Sequence, residues 1–247
     1  VDCIVSPSAS HGQQLSNWGW RGPHAVVHNG LDLDLYAGAT LWNDRPMDVG
    51  YWSSPDRGLH HLLRAWPLVV AEIPNARLHV FYEIDRYLEF ALNTVGPYGE
   101  RARELQRLLL IAKLDKSITF HGAVPRNHLA PIQKQCRVMA YPYDPVAYCE
   151  GFATSVCCGL AAGCLVMTTR KDALPSLYGD GAYWIEPPPN NATSLAAQVA
   201  TGLHGGLPNQ SEILRRAQEI AAGYDWSAAA RQMEAACRGT NWVNMET

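Results

Sequence analysis

From Met47 onward, short apolar runs alternate with segments of helical period, and this alternation constrains the fold more than any other feature of the chain. The runs are Met47–Trp52, Leu78–Tyr82, Ser117–Phe120, Val138–Tyr141, Cys164–Thr169 and Ala182–Glu186. Most lack a period of two, as expected for strands covered by helices on both faces. Between the first two, Leu59, Leu62, Leu63, Trp66, Val69 and Val70 recur at the spacing of one apolar helix face. Further helices are predicted at Glu100–Ala112, Arg126–Gln135, Phe152–Ala162, Ala192–Leu203, Gln210–Ala222 and Ser227–Cys237. Repeated strand–helix units of this kind build a parallel sheet between two helix layers, a Rossmann-like three-layer α/β domain. Such sheets bind ligands at the carboxyl ends of their strands. The informative turns are therefore Tyr51–Gly58 (YWSSPDRG), His121–Pro125 (HGAVP) and Pro142–Phe152 (PYDPVAYCEGF).

Composition excludes several classes of function. Hydrophobic residues make up 47% of the 247, charged residues 17%, and the formal net charge is −3, which argues against disorder and against nucleic acid as a partner. The longest apolar stretch, Val156 to Met167, is broken by glycines and falls short of the roughly 20 residues that a bilayer span needs, so no transmembrane segment is expected. Seven cysteines, several inside apolar runs and with no CxxC pair, point to free thiols and a reducing, cytoplasmic setting. The nine histidines show no zinc-ligand spacing, so no metal is expected. Val1 to Ser8 (VDCIVSPS) reads as a strand entering a loop with no signal segment before it, and the chain is expected to begin inside a longer protein. Ser6, Ser8, Ser10 and His11 lack the GxSxG elbow of a hydrolase and read as loop serines that cap a following helix.

Five motifs in order carry a resemblance that spans nearly the whole chain. HNGLDLDLY is similar to an Asn-Gly-Val-Asp interdomain linker. VGYWSSPDRGLHHLL resembles a first strand, phosphate loop and helix. TFHGAV, VMAYP, EGFA and GLAAGCLVMTT follow, then DALPSLYGDGAYWIEPP, and near the end Tyr224-Asp225-Trp226-Ser227 opens a last helix. Together they resemble the glycosyltransferase family 4 type of GT-B enzyme. The resemblance implies the end of an amino-terminal domain plus linker at 1–45 and a Rossmann-like nucleotide-sugar-binding domain at 46–224. It further implies a helix crossing back toward the first domain at 225–247, with Trp226 as a packing anchor.

The resemblance also implies a retaining glycosyltransferase with a nucleotide-sugar donor. The acceptor, a glycan or other molecule, would be held by an amino-terminal domain that is mostly absent, which would leave this fragment inactive. By the same resemblance Arg57 binds the donor diphosphate and Glu150 the sugar, with Ser53 and Ser54 in the phosphate loop. The amides of Gly151, Phe152, Ala153 and Thr154 meet the phosphate. His121, Gly122, Ala123 and Val124 line the base pocket through their backbone, while Tyr82 and Glu83 cap the crevice and Lys171 opens the loop near where the leaving phosphate or sugar would sit. Two positions depart from the family: Tyr51 stands where a second cation is usual, and Cys158 stands where a ribose-binding Glu is usual. Those departures keep open a degenerate, non-catalytic binding module. A dinucleotide-dependent oxidoreductase is the third alternative, but GYWSSPDRG lacks its GxGxxG turn. No Asp-x-Asp lies in the crevice, and no cofactor is expected because cations and helix dipoles can stabilise the leaving diphosphate.

Overall fold

Every run expected as a strand pairs in one sheet. The computed structural model describes residues 2–187 and 189–244. Val1, where the first strand was expected to start, Pro188 at the end of the DALPSLYGDGAYWIEPP motif, and residues 245–247 of the last segment lie outside the described residues. The chain opens with β1 (Ile4–Ser6), α1 (Ala9–Asn17) and β2 (Pro23–Val26). There follow β3 (Asp48–Tyr51), α2 (Leu59–Glu72), β4 (Arg77–Phe81), α3 (Ile84–Ala91), α4 (Pro97–Ala112) and β5 (Ile118–Gly122). Next come α5 (Arg126–Gln133), β6 (Val138–Ala140), α6 (Thr154–Ala161), β7 (Leu165–Thr168), α7 (Leu174–Tyr178) and β8 (Tyr183–Trp184). The described chain closes with α8 (Ala192–Leu203), α9 (Gln210–Ala222), α10 (Trp226–Cys237) and β9 (Val243–Asn244).

The main sheet is parallel, in the order β5-β4-β3-β6-β7-β8. β6 and β7 are buried along their whole length, which explains why their sequences are apolar without alternation. On α2 the expected face is the buried one: Leu59, Leu62, Leu63, Trp66 and Val69 all pack inward, each worth roughly 1.5–3 kcal/mol of transfer free energy. Two helices were not anticipated, α3 and α7, of eight and five residues. Both are shorter than the window of about 11–18 residues over which helical periodicity is read.

A second sheet, β1-β2-β9, stands apart from the first. Within the segment expected to end an amino-terminal domain and lead into a linker, β2 pairs in parallel with β1. α1 starts at Ser8, whose side chain accepts from the His11 amide, as a capping serine should. The segment between the sheets is bolted down by Arg45. This guanidinium is only 3% exposed and donates to the carbonyls of Thr40, Cys136 and Ala162 at 2.8–2.9 Å. At the other end α10 lies against β2, and the Gln232 side chain accepts from the His28 amide at 2.8 Å. Trp226, expected as a packing anchor, stays 55% exposed. One edge of its ring rests on Gly30, while the rest borders an open apolar cavity of 440 Å³ shared with Met233.

Candidate functional site

In the strand order, β3 has β4 on one side and β6 on the other, so the direction of winding reverses between β3 and β6. The loops leaving those two strands must then part at their carboxyl ends, and the gap between them is where a ligand fits. The loop after β3 carries Arg57 in a tight turn at Pro55–Arg57, and the loop after β6 carries Glu150. Gly58 permits the first turn, at φ +130° with Pro142 O at 2.1 Å from where a Cβ would sit. A cleft of about 500 Å³ opens there, lined by both loops and by Pro7, His11 and Asn29 from the first part of the chain.

Arg57 and Glu150 meet across this cleft as a hydrogen-bonded ion pair. Their exposures differ: the Glu150 side chain is 5% exposed and that of Arg57 29%. Glu150 also accepts from the Tyr141 hydroxyl at 2.9 Å, and that hydroxyl accepts from Ser53 at 3.3 Å. Burial raises the Glu150 carboxyl above its usual range, and the Arg57 charge and the Tyr141 hydrogen bond only partly offset this. Glu150 is therefore a carboxylate that has given up its water for few partners and can still accept hydrogen bonds from a ligand.

The backbone beside Glu150 is held from behind. Asp172 accepts from the amides of Cys149 and Glu150 at 3.0 and 3.1 Å, and the Tyr178 hydroxyl donates to the carbonyls of Phe152 and Ala153. Ala153 takes the left-handed conformation at φ 53°, uncommon for a residue with a Cβ, and there the chain turns into α6. Thr154 and Ser155, the first residues of α6, line the cleft, so the unpaired amides of a helix N-terminus lie beside the Arg57–Glu150 pair. Gly151 is needed for a close approach, because a Cβ there would stand 2.6 Å from His11 Nδ1.

A second carboxylate on the same loop, Asp144, is engaged quite differently. It accepts from His61 Nε2 at 3.0 Å, from Arg101 at 3.3 Å and from Lys171 at 2.5 Å. Those partners, His61 first, hold its carboxyl well below the usual range. His60, whose ring lies 3.9 Å from that of His61 at a tilt of 40°, is pushed down to about 3 by burial and by that neighbour. His60, His61 and Asp144 could offer ligand atoms within 4.8 Å of one another. Both Asp144 oxygens are already taken by cationic side chains, however, and the arrangement is that of a salt-bridged hub.

The structure brings together Ser53, Ser54, Arg57, Tyr82, Glu150, Gly151, Phe152, Ala153 and Thr154 around the cleft. Gly122, Ala123 and Glu83 line a neighbouring cavity of 710 Å³, which shares Tyr82 with the cleft. Three expected contacts need correction. Tyr51 is fully buried, its hydroxyl donating to Ser54 O at 2.7 Å, because its strand lies at the centre of the sheet. Cys158 does not line the cleft, since its thiol lies beside the Tyr36 hydroxyl on the other flank of α6. Lys171 pairs with Asp144. The His121 ring stacks on Phe81 at 4.3 Å and meets His79 at 3.0 Å, and Val124 packs against the core, so neither side chain bears on the backbone contacts expected of these two residues. Sequence reasoning missed His11, Pro7 and Asn29 as a wall of the cleft. Its local signal showed only a capped helix, and the proximity of α1 to Gly151 is a tertiary fact.

Comparison with known proteins fits this geometry. The family model described as glycosyl transferases group 1 matches residues 48–204. A phosphatidyl-myo-inositol mannosyltransferase of Mycobacterium tuberculosis is 28% identical over 225 residues, covering 86% of this chain and 53% of the relative. The chain thus spans about half the length of the curated relatives it matches. Among solved structures, sucrose-phosphate synthase from Thermosynechococcus elongatus superposes with a TM-score of 0.70 at 20% identity, over 97% of this chain and 58% of that one. Anabaena Alr3699/HepE in complex with UDP and glucose gives 0.72 at 18% identity, over 97% and 64%. At such identities these likenesses speak for the fold alone.

Proposed function

The chain belongs to the glycosyl transferases group 1, and from that premise we propose that its cleft binds the nucleoside diphosphate sugar of a retaining glycosyl transfer. The observation that carries this reading is the Arg57–Glu150 pair, set beside the N-terminus of α6 at the carboxyl ends of β3 and β6. Negative charge grows on the diphosphate as the sugar leaves, and the Arg57 guanidinium and the α6 amides stabilise it there without a metal ion. Glu150, buried and still able to accept, takes the hydroxyls of the donor sugar. The base lies toward Gly122 and Ala123, in the cavity that shares Tyr82 with the cleft. Two relatives support a donor of this class: the mycobacterial protein is a mannosyltransferase, and the Anabaena protein was solved with UDP and glucose. The acceptor is a glycan or other molecule bound by an amino-terminal domain, and this chain alone binds donor without transferring it.

One observation favours a second reading, a binding module without catalysis. Among the described residues lining the cleft, Arg57 is the sole Lys or Arg, and Tyr51 is buried where a second cation would stand. The test mixes the chain with UDP-, GDP- and dTDP-sugars and follows melting, since a ligand bound only by the folded state raises the midpoint. One of the three should raise it, and Arg57→Ala should weaken that binding by roughly 1.5–3 kcal/mol. No shift with any of them, or equal affinity in Arg57→Ala, contradicts the donor-site reading.

A further inference from the structure

Far from the cleft, the outer face of α4 is built against the usual rule for a solvated helix. Along α4 and the turn that follows it, Arg103, Gln106, Arg107, Leu110, Ile111 and Leu114 recur at three- and four-residue spacing, the period of one helix face. All six are exposed, and Leu110, Ile111 and Leu114 are 70%, 73% and 83% exposed. The opposite face, Ala102, Leu105, Leu109 and Ala112, already supplies the core contact of this helix. The outer aliphatics therefore add nothing to the core, and three of them side by side form a patch rather than scattered exposed residues.

The surroundings of the patch are positive. Arg103, Arg107 and Lys116 are exposed, and none makes an ion pair among the described residues. Among the nearby acids, Glu104 pairs with Arg64 at 2.6 Å, Asp85 with Lys113 at 3.0 Å, and Asp115 accepts from the Ser117 amide and hydroxyl. A second copy docking by a two-fold axis would set these cations against their own counterparts, a repulsive arrangement. An anionic lipid surface satisfies both features, taking the aliphatics among its acyl chains and the cations at its phosphates.

We propose that the C-terminal end of α4 is a membrane-surface anchor, with Leu110, Ile111 and Leu114 inserting into an anionic bilayer and Arg103, Arg107 and Lys116 meeting its headgroups. No helix among the described residues is long and apolar enough to cross a membrane, so the attachment is interfacial and reversible. α4 leads into the amino end of β5, while Arg101 near its start donates to Asp56 O at 3.0 Å beside the cleft. The anchor thus lies toward the amino ends of the strands, opposite the end that carries the cleft, and docking leaves the cleft open. This inference does not depend on the glycosyl-transfer reading.

The test is co-sedimentation of the full chain with vesicles of phosphatidylcholine alone, and with about a quarter phosphatidylglycerol added. Binding should appear with the anionic vesicles only and fade at high salt. Changing Leu110, Ile111 and Leu114 together to Ser should reduce it to background. Changing Arg103, Arg107 and Lys116 to Glu should reduce it at least tenfold, since each cation near such a surface is worth about fivefold. Both variants alter exposed side chains and should keep the wild-type melting temperature. Absence of wild-type binding, or binding unchanged in either variant, overturns the proposal. So does a dimer seen by light scattering that the Ser variant abolishes while vesicles bind nothing, an outcome that would make the patch a self-association surface.

Discussion

Asp144 and Glu150 stand on one loop, six positions apart, and their surroundings drive them in opposite directions. Asp144 is given three cationic or imidazole donors, and its charge is held more firmly in the fold than in water. Glu150 is more deeply buried, has Arg57, one tyrosine hydroxyl and the Ala153 backbone, and is held less firmly as an anion. The first arrangement is complete and ties the loop to α2, α4 and the Lys171 turn. The second is under-supplied and opens on a cleft, which is the state of a carboxylate that waits for hydroxyl donors from a ligand.

Arg57→Ala tests this difference most severely. It leaves Glu150 buried without a cation, and the fold should lose about 3 kcal/mol at neutral pH in urea unfolding. The loss should shrink on acidification as Glu150 takes up a proton. A variant as stable as the wild type at pH 7 would mean that Glu150 reaches water and is not under-supplied.

The pH dependence of stability should separate the two carboxyls by sign. Asp144 ionises more readily in the fold than in the unfolded chain, so its contribution is present above about pH 4 and fades as the pH falls. Glu150 is raised in the fold, so its contribution is full at low pH and is lost as the pH climbs through its folded pKa. Unfolding curves across this range should show the wild-type advantage over Asp144→Asn narrowing toward low pH. Relative to Glu150→Gln, the wild type should instead lose ground as the pH rises. Parallel profiles for the two variants would remove the contrast.

Cys158 supplies a smaller effect. Burial raises its thiol, and it sits beside Tyr36. Cys158→Glu should cost roughly 1–2 kcal/mol of stability in melting curves and bring no gain in nucleotide affinity. Tighter nucleotide binding would return this position to a ribose pocket.

Much of the fold was legible in the sequence, because the evidence for it is local. The apolar runs at Val138–Tyr141 and Cys164–Thr169 could only be buried strands, and the face of α2 followed from the spacing of Leu59, Leu62 and Trp66. The loops after β3 and β6 were identified for the same reason, since they are defined by where strands end. What sequence could not supply were the directions of side chains across the cleft. Arg57 and Glu150 were assigned to different parts of a donor, but 93 residues separate them, and their pairing depends on strand order. Tyr51 was placed at the site by its position in a motif, while its ring follows the pleat of β3 into the core. Lys171 was read as a crevice residue, and the loop turns it onto Asp144.

The central claim is that Glu150 accepts the hydroxyls of a donor sugar while Arg57 holds the diphosphate, and a single calorimetric comparison tests it. Wild type and Glu150→Gln are each titrated with a nucleoside diphosphate sugar and with the corresponding bare nucleoside diphosphate. The account predicts that the variant binds the sugar nucleotide more weakly by about 1–2 kcal/mol and the bare nucleotide as well as the wild type does. An equal loss on both ligands, or no loss on either, would contradict it.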